Sequence, residues 1–220
     1  MRPPVSLGRL ELVDEDERAT YKIKAGVPVP LVEARLMNAS GEFLPHDGKT
    51  QGELVLRAPW LTQGYYREPE KSDELWAHGW MHTGDVAAID PMGFIEIRDR
   101  IKDVIKTGGE WISSLELEDL ISTSPAVKEV AVVGVPDPQW DERPFALIVA
   151  CEGHEMDAKK LRDHLKPFVD EGRINKWAVP TQIASVTEIP KTSVGKLDKK
   201  RIRGEIAQWQ EAQAPFLSTL

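Results

Sequence analysis

A dense run of charges near the middle of the chain limits what the chain can fold into. Residues 99–103 read Asp-Arg-Ile-Lys-Asp, which places four charged side chains in five positions between two apolar segments. Charged side chains are rarely buried, so this run predicts a solvated connector rather than part of a core. We therefore expect two parts, residues 1–99 and residues 100–220.

A hairpin is predicted directly after the connector. Val104 and Ile105 begin an apolar strand, and the pair Gly108-Gly109 follows. Two adjacent glycines between apolar segments are typical of a tight hairpin turn, because glycine tolerates the positive φ that such turns need. The chain is then expected to return through Trp111 and Ile112.

Short strands with turns between them dominate the first part. Residues 29–36 alternate between apolar and polar, residues 52–57 form another strand, and residues 94–98 return from the turn at 90–93. This pattern predicts an antiparallel sheet or a barrel-like subdomain.

The second part mixes helices and strands. Ser113 and Glu116 have the spacing of a capping box before a helix. The expected strands are 127–135, 145–151 and 181–189, and the expected later helices are 157–166 and 198–209. Together the two parts predict an α+β protein, with a three-stranded sheet flanked by helices in the second.

Composition limits the cellular compartments and the binding partners that we expect for this protein. The net charge of −8 argues against general affinity for nucleic acid or an anionic membrane. The single cysteine excludes an internal disulfide and fits a reducing compartment. Residues after Met1 lack the apolar core of a signal peptide, and no later run reaches membrane-spanning length. We expect a cytoplasmic protein without stable membrane insertion.

Two histidines have a spacing that could form a metal site, but the sequence around them does not favour one. His78 and His82 are four residues apart, which on a helix would place both on one face. Gly79 between them disfavours a helix, and no third ligand is evident. We predict no metal site.

Lys196 is the main candidate for phosphate chemistry. It follows Gly195 in a tight loop, where a lysine could stabilise charge developing on a phosphoryl group. The alternative is a solvated basic helix face, because further basic residues surround it: Lys191, Lys199, Lys200, Arg201 and Arg203. The Walker pattern is not matched, since its first glycine is lacking and Leu197 replaces the Ser/Thr.

Asp85 ends the sequence Thr83-Gly84-Asp85. A carboxylate beside a glycine can accept hydrogen bonds from a ribose diol, as acidic residues do in other nucleotide sites. An aspartate that only forms the turn is the alternative.

Five motifs in order resemble the C-terminal part of the adenylate-forming superfamily, which includes AMP-forming acyl-CoA synthetases, peptide-synthetase adenylation domains and luciferases. The motifs are Gly52-Glu-Leu with Gly64-Tyr65, Trp80-Met-His-Thr-Gly-Asp85, Asp99 to Lys106, Gly108-Gly-Glu110 with Glu116-Leu-Glu118, and Pro190-Lys-Thr with Gly195-Lys196. Residues 109–114 are most similar to the medium- and long-chain fatty acyl-CoA synthetases.

The resemblance implies a reaction in two halves. A fatty acid or other carboxylic acid attacks the α-phosphate of ATP, giving acyl-adenylate and pyrophosphate. The thiol of coenzyme A then displaces AMP. By this resemblance, Asp85 holds the ribose hydroxyls and Arg100 contacts the ribose or phosphate. Ile97 lies near the adenine, and Lys196 stabilises the transition state of adenylation.

The resemblance also implies roles for residues in the middle of the chain. Lys102 would be the hinge, with the hinge region near 99–103. The second part would rotate about Lys102, so that a loop replaces Lys196 and lines the coenzyme A tunnel. That loop comprises Lys106, Gly108, Gly109, Glu110 and Trp111. Residues 1–99 would then be the last, β-rich subdomain of a large N-terminal domain.

Family members are much longer, and their phosphate loop, Mg²⁺ ligands and acyl pocket lie in a large domain that these 220 residues do not contain. We therefore expect this chain alone to be inactive, with Mg²⁺ ligands outside it. Two alternatives stay open: a peptide-synthetase adenylation domain, and a non-catalytic module that binds nucleotide, coenzyme A or a complementing partner.

Overall fold

The computed structural model describes residues 5–6 and 10–212, with side chains described from residue 10 to residue 206. The chain forms two compact units, Met1–Lys102 and Asp103–Leu220. The division falls inside the charged run. The prediction of a solvated connector is wrong for its start, because Asp99 and Arg100 end a strand of the first unit and Asp99 is buried. That this junction acts as a hinge stays a prediction.

The first unit is built around an antiparallel sheet. Its elements are β1 (Val5–Ser6), α1 (Arg18–Lys22), β2 (Val27–Pro28), β3 (Glu33–Met37), β4 (Gly52–Arg57), α2 (Pro69–Leu75), β5 (Met81–Ile89) and β6 (Ile95–Arg100). The four strands β3 to β6 pair in sequence order, and β1 pairs separately with β2. Within the described residues this sheet is open and does not close into a barrel. The predicted antiparallel arrangement is present, with β4 at the predicted bounds.

One apolar cluster covers the larger sheet. Leu36, Leu54 and Ile95 are completely buried, and Leu56 and Ile89 are nearly so. Burial of each such side chain stabilises the fold by roughly 1.5–3 kcal/mol. These five residues lie on all four strands, so their burial fixes the positions of the strands relative to one another. The polar residues of β5 and β6 are held in place by this packing.

The second unit is a mixed sheet with helices. Its elements are β7 (Ile105–Thr107), β8 (Glu110–Ile112), α3 (Ser114–Ser122), β9 (Val127–Asp137), β10 (Asp141–Ala150), α4 (Ala158–Asp170), β11 (Gln182–Ser185) and α5 (Lys199–Ala212). Strand β10 pairs with β9 and β7 in antiparallel fashion and with β11 in parallel. The α+β class is confirmed.

The sheet of the second unit is larger than the three strands predicted. The predicted hairpin forms β7 and β8, and it joins the sheet where Thr107 pairs with Asp141 of β10. A pairing between positions so distant in sequence leaves no local pattern, so five strands form where three were expected.

Successive apolar side chains of β9 pack into two different hydrophobic clusters. Val130 and Val132 pack into the cluster that contains Leu117 of α3 and Leu161 of α4. The intervening residues of β9 pack into a second cluster with Ile202 of α5. This period of two places helices on both faces of the sheet.

The predicted cap at Ser113 is present, and two aspartates cap the later helices. The Ser113 side chain accepts a hydrogen bond from Glu116 N at the start of α3. Asp157 caps α4 through Lys160 N, and Asp198 accepts from Arg201 N at 3.0 Å at the start of α5. None of the helices within the described residues has the length and apolar run needed to cross a bilayer.

Candidate functional site

Asp85 lies in a bulge of strand β5. Val86 pairs with Glu53 and His82 pairs with Val55, so residues 83–85 of β5 lie opposite Leu54 alone. Such bulges bend a strand and redirect a side chain. Gly84 sits at φ +70°, where glycine is favoured, and a Cβ there would meet nothing within 4 Å. Glycine is therefore required by the backbone angle rather than by crowding.

Arg100 pairs with Asp85 across neighbouring strands. The two residues are register partners of β6 and β5, and Arg100 Nε lies 2.8 Å from Asp85 Oδ1. The Asp85 side chain is 15% exposed and that of Arg100 is 53% exposed. Burial raises the pKa of the Asp85 carboxyl, Arg100 opposes that rise, and the nearby Glu53 adds to it. The sheet thus brings together two predicted nucleotide contacts, a carboxylate and a guanidinium.

Ile97 lies on the same strand as Arg100 but in a different environment. It pairs with Ala87 and packs partly against the apolar cluster of the sheet. Its place in the core explains why the position is apolar. A contact with adenine stays a prediction.

Lys196 lies at the end of a compact hairpin turn. Thr192 N donates to Lys196 O at 2.8 Å, and Gly195 N donates to Thr192 O at 2.9 Å. Lys191 bridges to Leu197 across the turn, and Gly195 has φ +77°. The Lys196 side chain is exposed. Backbone hydrogen bonds thus fix the loop while the ammonium group faces solvent.

The surrounding basic residues do not form a uniform solvated face. Four of them make ion pairs: Lys191 with Glu129, Lys199 with Glu118, Arg201 with Glu205, and Arg203 with Asp103. Glu129 raises the pKa of Lys191 by a hydrogen bond and by its charge. Among the side chains described, Lys196 makes no ion pair. Most cations around Lys196 are therefore held by acidic partners, and the catalytic role of Lys196 stays a prediction.

The Gly108-Gly109 turn packs beside two tryptophans. Gly108 N donates to Trp140 O at 2.9 Å, and a Cβ at Gly108 would lie 3.1 Å from the Trp140 ring. Trp140 stacks on Trp177 with ring centroids 5.3 Å apart. Glu110 accepts a hydrogen bond from the Asn175 side chain. The turn thus lies against an aromatic pair.

The residues predicted to form the coenzyme A loop lie on the hairpin of β7 and β8. Lys106 and Trp111 are register partners of β7 and β8, and Lys106 N donates to Glu142 Oε2 at 2.9 Å. Lys106, Gly108, Gly109 and Glu110 are exposed, and Trp111 is half-buried. Lys102 is an exposed residue that ends the first unit.

Sequence reasoning did not identify Trp140, Asn175 and Trp177 as part of this surface. Asn175 caps the short 3₁₀ turn Lys176–Ala178, which carries Trp177. Their proximity to Gly108 depends on pairing between distant segments. The available signal was the occurrence of two tryptophans in polar surroundings, outside any apolar run.

His82, one of the two histidines, has hydrogen-bond partners on both ring nitrogens. His82 Nδ1 lies 2.7 Å from Glu53 Oε2, and His82 Nε2 lies 3.1 Å from Ala77 O. The His78 and His82 ring centroids are 6.3 Å apart. Among the described residues there is no group of three or more His, Cys, Asp or Glu able to hold a metal ion.

Residues 116–196 match the family described as AMP-binding enzyme C-terminal domain. The resemblance of the motifs to the C-terminal part of the adenylate-forming enzymes is confirmed. The match includes most of α3, the strands β9, β10 and β11, and Lys196.

Individual relatives are acyl-CoA ligases and related enzymes. The chain is 43% identical to a long-chain-fatty-acid–CoA ligase of Thermus thermophilus, over 88% of this chain and 35% of that protein. It resembles the amide bond synthetase McbA of Marinactinospora thermotolerans with a TM-score of 0.72 and 32% identity, over 87% of this chain and 38% of that one. ATP-bound MatB of Rhodopseudomonas palustris gives a TM-score of 0.70 at 30% identity, over 82% of this chain and 35% of that one. The chain thus spans about a third of the length of these relatives.

Proposed function

We propose that this chain is the C-terminal portion of an AMP-forming acyl-CoA ligase. The overall reaction joins a carboxylic acid, a fatty acid by preference, to coenzyme A and converts ATP to AMP and pyrophosphate. The observation that carries the proposal is the Asp85–Arg100 pair held on the β5 bulge, because it offers a carboxylate and a cation to a ribose and its phosphate. The similarity to a long-chain-fatty-acid–CoA ligase supports this reaction, and the similarity to ATP-bound MatB supports the use of ATP.

In the first half-reaction, a carboxylate oxygen of the acid forms a bond to the α-phosphorus of ATP, and the bond to pyrophosphate breaks. Asp85 would accept hydrogen bonds from the ribose hydroxyls, with Arg100 beside it. Lys196 would donate to the phosphoryl oxygens as negative charge develops there. Its exposed position on a rigid turn suits a group that must reach a substrate held elsewhere.

In the second half-reaction, the coenzyme A thiol, as thiolate, attacks the acyl carbonyl, and AMP leaves with the electrons of the broken C–O bond. We propose that the Gly108-Gly109 turn and Glu110 line the route of the pantetheine arm. The stacked Trp140 and Trp177 support this role, since they give an apolar wall beside the turn. Exchange of this turn for Lys196 would use rotation at Lys102, a hinge-type motion.

Two further features belong to the proposal. Mg²⁺ that accompanies ATP would be bound outside this chain, as the family resemblance implies. A cytoplasmic location would agree with the single cysteine.

The test is reconstitution. The purified chain alone should release no AMP in the presence of a fatty acid and ATP. Mixed with a separately produced N-terminal portion of an acyl-CoA ligase, it should form acyl-CoA, and the Lys196→Ala chain should not. Activity that is independent of added chain, or equal with both chains, would instead favour a non-catalytic binding module.

A further inference from the structure

The bulge that presents Asp85 depends on hydrogen bonds from side chains. Three residues of β5 face one of β4, so regular pairing with β4 does not bond residues 83–85. On the other side of the strand, Asp85 pairs with Arg100, and Ile101 N donates to Gly84 O at 2.9 Å. Gly84 N donates to Glu53 Oε1 at 3.0 Å, and Asp85 N donates to Thr83 Oγ1 at 3.1 Å. Thr83 Oγ1 itself donates to Leu54 O at 2.7 Å. Two side chains therefore hold the backbone of the bulge.

Glu53 binds this segment at a second point. Its other oxygen, Oε2, lies 2.7 Å from His82 Nδ1, and His82 Nε2 lies 3.1 Å from Ala77 O. The side chains of His82 and Glu53 are 19% and 17% exposed. One carboxylate thus bonds the residues on both sides of Thr83, in a mostly buried setting where hydrogen-bond geometry is well defined.

We infer that Glu53 and His82 are positioning residues that fix the bulge so that Asp85 meets its nucleotide ligand. The inference rests on the proposed role of Asp85. Glu53 places a second carboxylate near Asp85, and like charges close together are unfavourable. An apolar residue at position 53 would avoid this repulsion, but it would leave Gly84 N without its acceptor and His82 without its partner.

Three substitutions of Glu53 show whether the bulge needs the hydrogen bonds of this side chain or its negative charge. Glu53→Gln can accept from Gly84 N with its amide oxygen and donate to His82 Nδ1 with its amide nitrogen, so we expect it to retain the bulge. Glu53→Asp keeps the charge but is one methylene too short to bond Gly84 and His82 together. Glu53→Ala loses both bonds. Glu33→Ala removes an exposed glutamate of the same sheet and serves as the matched control.

The first measurement is the amide NMR spectrum of the full 220-residue chain. We expect the Gly84 and Asp85 amide signals to shift, and to exchange faster with solvent, in Glu53→Asp and Glu53→Ala. They should stay in place in Glu53→Gln and Glu33→Ala. Unchanged Gly84 and Asp85 signals in a folded Glu53→Asp chain would overturn the inference, and this variant decides the matter if Glu53→Ala does not fold.

The second measurement is titration of the same chains with AMP. We expect Glu53→Asp to weaken AMP binding about tenfold, the effect of one lost hydrogen bond, and Glu53→Gln to match the wild type. Equal AMP affinity in Glu53→Asp and wild type overturns the positioning role. If the wild-type chain does not perturb its Asp85 signal with AMP, the ligand assigned by the proposed function fails, while the amide signals still decide whether Glu53 fixes the bulge.

Discussion

Lys199 Nζ lies 2.8 Å from Glu118 Oε1, and both side chains are about nine-tenths buried. Lys199 Nζ also donates to Ser114 Oγ at 2.7 Å, and Glu118 Oε1 accepts from Val132 N at 2.8 Å. This network joins α5, which follows the Lys196 turn, to α3, which follows the Gly108-Gly109 hairpin. The two loops proposed to act in alternate half-reactions are therefore anchored to a common buried pair.

Removing one member of this pair should destabilise the second unit strongly. Lys199→Met leaves the Glu118 carboxylate buried without its cation, which typically costs about 3–5 kcal/mol. Urea unfolding measured by circular dichroism checks the value. Lys200→Met, at an exposed neighbour on α5, should change stability by less than about 0.5 kcal/mol. Equal effects of the two substitutions would contradict the importance of the buried pair.

Lys196→Ala should separate the two half-reactions in the reconstituted enzyme. Pyrophosphate release should fall by roughly 10²–10³-fold, because one charged contact to the transition state is lost. Thioester formation from supplied acyl-adenylate should be retained, since Lys196 is not proposed to act there. Lys200→Ala is the matched exposed control. A similar loss in both half-reactions would refute the alternation of roles.

Asp85→Asn should increase stability at neutral pH while it weakens nucleotide binding. Burial raises the pKa of Asp85 above its usual 3.8, so the folded state holds the proton more strongly than the unfolded state. Stability from this group is then complete below 3.8 and is lost as pH rises through the raised pKa. Asparagine does not ionise and removes that loss.

Thermal unfolding at a series of pH values checks this prediction. The midpoint of Asp85→Asn should pull ahead of the wild-type midpoint as pH increases, and the gap should then level off. Asp163→Asn, an exposed position on α4, should follow the wild type. Parallel curves for Asp85→Asn and wild type at every pH would show that the environment of Asp85 does not favour its neutral form.

Trp140→Ala should raise the KM for coenzyme A by about three- to tenfold, the range expected for loss of one aromatic contact. The adenylation half-reaction should be unaffected, because Trp140 lies beside the Gly108 turn, which is proposed to act only in the second half-reaction. Steady-state kinetics with varied coenzyme A and ATP separate the two effects. Trp60→Ala, an exposed indole of the first unit, is the control. A larger change in the KM for ATP than for coenzyme A would contradict the assignment.

Local sequence patterns predicted the elements that depend on neighbours in the chain. The glycine turn at 108–109, the Ser113 cap and the strand 52–57 all follow from short-range chemistry, and all are present. The Thr107–Asp141 pairing that adds the hairpin to the sheet is long-range and was not predictable from pattern.

The same reason explains what was missed at the site. Asp85 was recognised from its Thr-Gly-Asp motif, but the contact of Glu53 with Gly84 depends on a bulge in the register of two strands. Alternation of apolar and polar residues does not reveal a bulge of this kind. Trp177 was missed because its position beside Trp140 depends on a 3₁₀ turn after α4.

Each hydrophobic cluster of the described residues lies wholly within one of the two units. The free energy that fixes Asp85 and the free energy that fixes Lys196 therefore come from separate cores. Because the cores are separate, a core substitution that loosens the nucleotide contacts can leave the lysine turn intact. The reverse also holds. Selection can therefore adjust the nucleotide contacts of the first unit with little cost to the lysine turn of the second.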